Sequence, residues 1–429
     1  MCKSTIRRVA VTGLGVLAPN GCGVGKFWEA LTDGARAVSR IKAFDPSGHA
    51  SQIAGQIDEL PALGPQAGSQ LGGHDRFVRL ALGASEEALD DSGIEIADME
   101  PRRAGACIAN AIAGTRLMAE HFADLTDTGS GPLDLADAHR FLHQAATFNT
   151  ASATVSAAFG LEGPCVSVIT GCTGGNDAVG FAAGVIRRGE ADVMLAGAAE
   201  APITPLVLAC FDVIGALSRR NHEPEAASCP FDRGRDGFVL GEGAGVLVLE
   251  EWEHARRRGA HIYAEISGYG TTCSAHHMTD LAPDGTALAR SIDLALADAG
   301  CSTERLGYVK AHGSSTRQND VCETNAIKRS LGSDAYVVPV SSIKSMVGHA
   351  LAAANAIELV ACALVLEHQV IPPTMNLSER DPDCDLDYVP NAAREGRVEA
   401  LASLSSGFGG IHSTVVMEGL RGRGRGHAA

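Results

Sequence analysis

A cysteine stands where a predicted strand turns into a predicted helix. Residues 166–169 form an uncharged, largely β-branched run typical of a buried strand, and residues 178–188 carry the apolar period of a helix. Cys172 lies between them, so its thiol should face free backbone N–H groups and the positive end of a helix dipole, which favour the thiolate. Thr170 or Thr173 is placed to cap that helix. The pattern predicts a nucleophile, with a small buried side chain as the alternative.

Two histidines follow predicted strands in the second half of the chain. Residues 308–311 lead to His312, and residues 338–342 lead to Lys344 and His349, which precedes a strongly apolar helix. Side chains at strand ends collect in functional sites. One thiol and two imidazoles suit acyl transfer through a thioester, with the imidazoles donating to an oxygen that gains negative charge. A structural histidine is the alternative for each of the two taken alone.

Two carboxylates follow the first of these histidines closely. Asp320 and Glu323 lie on the segment after His312. A carboxylate could hold Lys344 by an ion pair, although charged side chains of this kind are more often on the surface.

A glycine-flanked phenylalanine forms a third loop. Phe408 has Gly407 and Gly409 on either side, which leaves its backbone N–H approachable. An oxyanion hole needs donors of this kind, and an ordinary turn is the alternative.

A weak internal repeat indicates the elements that must position these loops. The segment TGLG at 12–15 precedes LAPNG, and SGYG at 267–270 precedes LAPDG. Each copy continues into an alanine-rich amphipathic helix, which ends near Gly93 or Gly300, and then into a strand with a glycine-containing loop. Two copies of one strand–helix–strand design predict a duplicated α/β protein with mixed sheets between helices. A dinucleotide site at the GxGxxA match of residues 13–18 is disfavoured, because Pro19 breaks the helix that should receive the pyrophosphate.

Composition limits the class of protein. The 429 residues are 45% hydrophobic and 20% charged, as in a globular protein with a large core, and the formal net charge of −16 argues against nucleic-acid binding. Twelve cysteines show no CxxC pair and no zinc spacing, which suggests reduced thiols in a cytosol and no metal site. No segment reads as a signal peptide or a membrane span. Residues 421–429 form a basic, glycine-rich tail that we expect to be disordered.

Five ordered motifs resemble the β-ketoacyl-acyl carrier protein synthases, which have the thiolase fold. They are GCTGG at 171–175, PFDRGRDGFVLGEGAG at 230–245, AHGSST at 311–316, KSMVGH at 344–349 and GFGG at 407–410. Within that family, AAEAPITP at 198–205, TRQND at 316–320 and DCDLDYVP at 383–390 most resemble the ketosynthase α subunit of bacterial type II polyketide synthases. The resemblance implies a five-layered αβαβα sandwich. One half, residues 1–258, would carry the cysteine, and the other, residues 259–420, would carry the two histidine loops.

The resemblance also implies a role for each site residue. Cys172 would take the growing acyl chain from acyl carrier protein. His312 and His349 would promote decarboxylation of malonyl-carrier protein, and Lys344 would order the site with Glu323. The residues implied as structural support are Glu323 and Asp320.

Further roles concern the channel and the oxyanion. The N–H groups of Cys172 and Phe408 would form the oxyanion hole, and Phe408 would gate the second substrate. The residues implied to contact substrate are Ser314, Thr316, Gly407 and Gly409. No cofactor is expected to be bound, since the substrates travel on the phosphopantetheine arm of acyl carrier protein.

Departures from the family pattern leave the acyl-chain specificity open. His143-Gln144-Ala145 and the pair Gly174 and Asn176 differ from the residues common in relatives. A homodimeric fatty-acid synthase of the same chemistry is one alternative, and a non-catalytic scaffold or chain-length subunit is another. The cysteine and both histidines argue against a scaffold. A dehydrogenase is the remaining alternative.

The resemblance further implies partners. They are acyl carrier protein and a chain-length-factor homologue in a heterodimer, with a homodimer as the alternative and neither nucleic acid nor membrane. Carrier proteins are acidic like this chain, so docking requires a local basic patch. The residues expected to form it are Arg76, Arg79, Arg219 and Arg220.

Overall fold

The computed structural model describes residues 7–70, 72–133, 135, 136 and 138–420. The strands are β1 (Val9–Ala18), β2 (Gly21–Cys22), β3 (Val38–Arg40), β4 (Ile53–Gly55), β5 (Ala104–Ala109), β6 (Cys165–Val166), β7 (Val193–Glu200), β8 (Leu240–Gly241), β9 (Gly243–Glu251), β10 (Ala264–Cys273), β11 (Leu306–Lys310), β12 (Val340–Ser341), β13 (Val370–Ile371), β14 (Arg394–Glu395), β15 (Ala400–Gly407) and β16 (Ile411–Glu418). The predicted basic tail lies outside the described residues.

Helices connect and cover these strands. They are α1 (Val24–Thr32), α2 (Pro65–Ser69), α3 (Arg76–Ser92), α4 (Thr115–Leu125), α5 (Leu142–Ala145), α6 (Thr150–Phe159), α7 (Gly174–Arg187), α8 (Pro205–Val213), α9 (Pro224–Ala227), α10 (Trp252–Arg257), α11 (Thr286–Ala299), α12 (Arg317–Leu331), α13 (Lys344–Val347) and α14 (Ala352–His368).

The main sheet repeats one strand order twice. In the first half the order is β6-β5-β7-β9-β1, and in the second it is β12-β11-β15-β16-β10. In each half the first three strands are parallel, and the last two run antiparallel to their neighbours. A short antiparallel pairing between β1 and β10 joins the halves. The duplication expected from the internal repeat is therefore confirmed. We propose that the division falls between residues 258 and 259, after α10.

Five layers follow from the packing of the helices. Helices α7 and α14 lie between the two halves of the sheet, where α14 is buried along nearly its whole length. Helices α3 and α6 cover the outer face of the first half, and α11 covers that of the second with α12 beside it. A helix buried on all sides needs an apolar sequence, and the run from 352 to 366 provides one. The αβαβα arrangement expected from the resemblance is confirmed.

The repeated glycines let helices approach strands closely. Gly13 and Gly15 lie within β1, where a Cβ at Gly15 would come within 1.9 Å of the Ala84 carbonyl oxygen on α3. In the second half, a Cβ at Gly270 would come within 2.4 Å of the Ser291 carbonyl oxygen on α11. The GxG pattern thus serves helix-on-sheet packing and does not form a loop between strand and helix.

Candidate active site

Cys172 lies on a tight turn at the start of α7. The 3₁₀ turn Gly171–Thr173 connects directly to that helix, and Gly171 has a φ of +61°, which a residue with a side chain rarely adopts. The expected elbow is therefore present. The expected buried strand is wrong, because β6 has only two residues at the edge of the sheet and Ile169 is 50% exposed.

Asp177 fixes this turn in place of a capping threonine. Thr173 is the N-cap of α7 but makes no side-chain cap, so that prediction is wrong in its detail. The hydroxyls of Thr170 and Thr173 instead donate to Asp177, the second at 2.7 Å, and the Tyr269 hydroxyl donates to the other carboxylate oxygen at 2.8 Å. The carboxylate thereby holds the turn to its own helix and to β10.

The thiol of Cys172 is protonated at neutral pH. Burial raises the pKa of Cys172 to about 11, and Lys344 and the N–H groups of Cys172 and Phe408 only partly oppose that rise. The expectation that the helix start favours the thiolate is therefore wrong for the resting enzyme. Loss of water around the sulfur outweighs the dipole and the nearby donors. Deprotonation must accompany attack on a substrate.

The two histidines meet in the same site. His312 follows β11 and His349 follows α13, and their rings lie 5.1 Å apart, nearly perpendicular. Burial, with the Lys344 ammonium next in effect, holds the pKa of both imidazoles well below the usual range. The Leu351 N–H donates to His349 Nδ1 at 3.1 Å, so the Nε2 of the neutral ring carries the proton. Both side chains are neutral at pH 7, so each ring keeps one N–H that can donate to a substrate oxygen.

Lys344 pairs with a carboxylate that the sequence did not indicate. Its ammonium donates to Glu358 Oε1 at 2.5 Å and to the His312 carbonyl at 2.7 Å. The expected partner, Glu323, instead accepts the backbone N–H groups of His312 and Gly313. That expectation is corrected, because the helix α14 carries Glu358 into the space above the lysine. Glu323 still supports the histidine loop.

Asp320 has a structural place one helical turn before Glu323. It is fully buried, accepts the N–H of Phe231 at 2.8 Å and lies 3.4 Å from the guanidinium of Arg235. These contacts attach α12 to the loop of residues 230–235.

Lys310 and Glu358 are the site residues that sequence reasoning missed. Both are buried and joined by a 2.5 Å ion pair. The sequence signal that could have indicated them is a single charged residue within an otherwise apolar element, which is a strand for Lys310 and a helix for Glu358. Such charges are rare unless they are paired.

The Phe408 loop faces the nucleophile. The backbone N–H groups of Phe408 and Cys172 lie close enough to the sulfur to lower the pKa of the thiol, and an oxyanion hole needs donors placed near the nucleophile in this way. The Phe408 ring is 42% exposed and lies 6.4 Å from Phe211. Gly407 packs against the Cys172 backbone, and Gly409 has a φ of +83° and donates to the Met278 carbonyl.

One cavity of about 310 Å³ brings these groups together. Cys172, His312, His349 and Phe408 lie on its wall, and apolar side chains of α8 and the following segment narrow it. Ser314 and Thr316 also line the cavity, with their hydroxyl oxygens 2.9 Å apart. Gly407 is among the lining residues. Three of the four predicted substrate contacts therefore line the cavity, whereas Gly409 is not among its lining residues.

The four arginines of the expected docking patch have different surroundings. Arg76 donates to Glu242 at 2.7 Å and to the Ile57 carbonyl, so its assignment to an exposed patch is corrected. Arg79 and Arg219 are exposed. Arg220 is half-buried, donates to the Gly234 and Ala226 carbonyls and lies 4.0 Å from Asp236. Asp236 is on the cavity wall, so Arg219 and Arg220 lie beside the cavity.

The unusual residues beside the nucleophile have packing contacts. Gly174 faces Ala109 and Ala352, and Asn176 is fully buried and donates to the Ser403 carbonyl at 3.1 Å. His143 and Gln144 lie on the short helix α5, whose Ala145 packs on Gly114.

Across the described ranges, no helix is both long and apolar enough to span a bilayer.

Comparisons with known proteins agree with this geometry. The profile of the Beta-ketoacyl synthase, N-terminal domain, matches residues 6–255, and that of the C-terminal domain matches 263–378. The tetracenomycin polyketide synthase ketoacyl synthase alpha subunit of Streptomyces glaucescens is 49% identical over 97% of this chain and 98% of its own length. The 3-oxoacyl-[acyl-carrier-protein] synthase 2 of Coxiella burnetii is 43% identical over 96% and 98%.

Two solved structures extend the comparison. One is a type II polyketide synthase acyl-carrier protein in complex with its ketosynthase bound to the hexaketide. It matches with a TM-score of 0.91 and 44% identity over 97% of this chain and 100% of the other. The ishigamide ketosynthase/chain length factor matches with a TM-score of 0.86 and 33% identity over the same shares. The chain therefore belongs to the β-ketoacyl synthase family of condensing acyltransferases, and within it to the type II polyketide ketosynthases.

Proposed function

We propose that this chain joins a malonyl unit to an acyl chain held on Cys172, in the synthesis of a polyketide. The observation that carries the proposal is the convergence of one thiol, two neutral imidazoles and two backbone N–H groups on a single cavity. A non-catalytic scaffold needs none of these groups.

Acyl loading is the first half of the reaction. The Cys172 sulfur attacks the thioester carbonyl of acyl-carrier protein, and the N–H groups of Cys172 and Phe408 stabilise the oxyanion. As the tetrahedral intermediate collapses, the bond to the phosphopantetheine sulfur breaks, and the proton lost by Cys172 ends on that departing thiol. Protonated Cys172 is consistent with this exchange, since one thiol replaces another.

Condensation is the second half. Malonyl-carrier protein loses CO₂, and the electron pair of the broken C–C bond forms an enolate whose oxygen accepts hydrogen bonds from His312 and His349. The enolate carbon attacks the Cys172 thioester, a new C–C bond forms, and the C–S bond breaks. The sulfur leaves as a thiolate and takes a proton, which restores the resting thiol. Neutral imidazoles suit this step, because they donate hydrogen bonds without surrendering a proton.

The substrates would enter on the phosphopantetheine arm of acyl carrier protein. Ser314 and Thr316 offer hydroxyl groups along the cavity for the amides of that arm. The solved complex of a similar ketosynthase with its carrier protein supports this partner. Reduced thiols throughout the described part of the chain support a place in the cytoplasm.

We also propose a heterodimer with a chain-length-factor homologue. β6 is an edge strand of the sheet, and Ile169, which follows it in the chain, is 50% exposed. Phe148 and Phe181, on either side of this segment in the sequence, are 39% and 37% exposed. An apolar edge of this kind favours pairing with another subunit. The ishigamide ketosynthase/chain length factor supports a heterologous partner. The alternative is a homodimer of the fatty-acid type.

Product analysis tests the condensing activity. The chain, co-expressed with a cysteine-lacking homologue, is incubated with acyl- and malonyl-carrier proteins, and mass spectrometry follows the carrier-bound product. We expect a carrier-bound β-ketoacyl chain with wild type and not with Cys172→Ala, which has no thiol to hold the acyl chain. Cys210→Ala, which removes an exposed thiol on α8, is the matched control and should behave as wild type. A product formed equally well by Cys172→Ala would contradict the proposal.

A further inference from the structure

Two lysines in the active-site region share one carboxylate. Lys310, the last residue of β11, donates to Glu358 Oε2 at 2.5 Å, and Lys344 donates to Glu358 Oε1 at 2.5 Å. All three side chains are at most 1% exposed. Two ammonium groups therefore face a single formal negative charge in a region without access to water.

The other nearby acids do not balance the second ammonium group. Glu323 accepts the N–H groups of His312 and Gly313 and makes no ion pair with either lysine in the described part of the chain, and burial raises the pKa of its carboxyl to about 7. Asp320 lies against Arg235, which also binds Asp381. An unbalanced positive charge in a buried region without water destabilises the folded protein. Its presence beside the active site therefore suggests a functional role.

The shared carboxylate is connected to each catalytic loop. Lys344 also donates to the His312 carbonyl at 2.7 Å, and Lys310 donates to the Leu404 carbonyl at 2.8 Å, on the strand that leads to Phe408. Asn355 donates to Glu358 Oε2 and accepts from Ser405.

That hydrogen-bond chain ends at the nucleophile. The Ser405 hydroxyl oxygen lies 3.0 Å from the Cys172 carbonyl oxygen and 3.1 Å from Asn355 Oδ1, so its single hydrogen is shared between these two acceptors. Lys310 thus lies at the centre of a network that reaches the histidine, phenylalanine and cysteine loops without lining the cavity itself.

We propose that Lys310 is a positioning residue of the condensing site, whose ammonium shares Glu358 with Lys344 and supplies a surplus positive charge that keeps His312 and His349 neutral. The inference rests on the proposed function, in which neutral imidazoles donate hydrogen bonds to the enolate without transferring a proton to it. Lys310 touches no substrate. It acts through the electrostatic field of its ammonium group and through its hydrogen bonds to the loops of the site.

The sign of the effect follows from the charges around the imidazoles. Lys344 and Lys310 both lower the pKa of His312 and His349, after burial, and His312 also faces His349 and His412. The acids on the packed helices are Glu358 on α14 and Glu323 and Asp320 on α12. Removing one cation raises both imidazole pKa values, so the histidines become protonated at a higher pH. The acid limb of the pH profile, where the decarboxylation rate falls as the histidines become protonated, should therefore move to higher pH.

The test is the pH profile of malonyl-carrier protein decarboxylation by the assembled enzyme. Lys310→Met keeps the length and apolar stem of the side chain but removes its charge. We expect the acid limb to rise by about one pH unit, so that the rate on that limb falls about tenfold. Above pH 8 the rate should stay within about threefold of wild type, because neutral imidazoles are present in both proteins.

A double variant separates charge from structure. Lys310→Met with Glu358→Gln has the same net charge as wild type in this cluster, so the acid limb should return at least halfway. A purely structural role predicts the opposite, since two substitutions disturb the packing more than one. Lys42→Met removes an exposed ammonium paired with Asp58 and should leave the limb unchanged.

Two results would overturn the inference. One is a folded Lys310→Met variant whose acid limb lies at the same pH as that of wild type. The other is a loss of decarboxylation rate that is equal at every pH and becomes larger in the double variant. If Lys310→Met does not fold, Lys310→Gln, which can still donate to Glu358, carries the same expectation. If wild type itself does not decarboxylate malonyl-carrier protein, the proposed function fails. The effect of the Lys310 charge is then measured by NMR titration of the His312 and His349 imidazoles, a measurement that needs no turnover. The pKa values of both imidazoles must be higher in the variant without Lys310.

Discussion

At the scale of single residues, desolvation decides the protonation states of the site. The same burial that keeps Cys172 as a thiol keeps His312 and His349 as neutral rings. Neutral reacting groups avoid the cost of further buried charges beside the cluster of Lys310, Lys344 and Glu358 before substrate arrives. Charge then develops only during reaction, at positions where N–H groups and imidazoles already point.

The first prediction concerns the reactivity of the nucleophile. With a pKa of about 11, Cys172 is almost entirely thiol at pH 7, so its alkylation by iodoacetamide should be slow there. The rate should rise about tenfold per pH unit between pH 7 and 9 as the thiolate fraction grows. Peptide mass spectrometry of Cys172 against time gives the rate. A plateau already reached at pH 7 would show a depressed pKa and contradict this account.

A second prediction separates the roles of the two histidines from that of the thiol. His312→Ala and His349→Ala should each lose about 3 kcal/mol of transition-state stabilisation, or about a hundredfold, in malonyl decarboxylation. Acyl loading of Cys172 should persist in both, because the N–H groups of Cys172 and Phe408 remain. His261→Ala, far from the cavity and half-exposed, is the control. Near-normal decarboxylation in both site variants would remove the assignment.

At the scale of elements, each half of the chain positions its loops by packing a helix on a glycine-containing strand. The glycine pair of β1 admits α3, and the pair of β10 admits α11, in the same place of the repeated strand order. Both helices end at a glycine with a φ of 59°, Gly93 and Gly300, before the next strand begins. The duplicated plan therefore presents the ends of corresponding strands to one site from opposite sides.

A third prediction tests this close approach. Gly15→Ala places a Cβ within 1.9 Å of the Ala84 carbonyl oxygen, so α3 must shift. We expect a loss of about 2 kcal/mol or more in the free energy of unfolding, measured by urea denaturation. Gly25→Ala in α1 has nothing within 4 Å of its new Cβ and should be neutral or slightly stabilising. Equal stability of the two variants would refute the packing argument.

At the scale of the whole molecule, an acidic chain must receive an acidic carrier protein. The described surface offers exposed Arg79 and Arg219, with Arg219 beside Asp236 on the cavity wall. Exposed charges act over about 10 Å at 0.1 M salt, so a patch beside the cavity is most effective at low ionic strength. The apolar edge at β6 is a second surface, at which we propose that a partner subunit binds.

A fourth prediction assigns the docking charges. Arg219→Glu and Arg79→Glu should each raise the KM for carrier-bound substrate about fivefold, and added salt should reduce the difference from wild type. Turnover of a small pantetheine thioester, which does not use the patch, should be unchanged. Arg76→Glu should act differently, with a loss of about 3 kcal/mol in stability, because it leaves buried Glu242 facing a second carboxylate. Wild-type KM values in both docking variants would place the patch elsewhere.

A fifth prediction concerns the β6 edge. Ile169→Lys adds a charge to an exposed apolar position and should weaken assembly with the partner subunit at least about tenfold. The single chain should remain folded, since Ile169 is already 50% exposed. Native mass spectrometry of the co-expressed proteins measures assembly, and Val337→Lys, at another exposed apolar position, is the control. Undiminished assembly of Ile169→Lys would exclude this edge as the interface.

The sequence by itself determined where reacting groups are, because those positions depend on local backbone. Cys172 at the start of a helix, His312 just after a strand and the glycine-flanked Phe408 are predicted from neighbours in the chain. The strand before Cys172 is shorter than predicted, and His349 follows the short helix α13. The duplicated α/β plan was predicted as well, because the repeat preserves its glycines and helix ends.

The tertiary structure alone decided the partners of the charged groups and the state of the thiol. Lys344 pairs with Glu358, which lies fourteen residues further along the chain on another helix. Arg76 pairs with Glu242, from which it is separated by 166 residues in sequence. The exposure of residues 166–169 depends on β6 being an edge strand, which no local pattern reveals. Ion-pair choice and desolvation depend on which elements pack together and how much water they exclude. A motif specifies the reacting groups, whereas the packing of distant elements sets their charge.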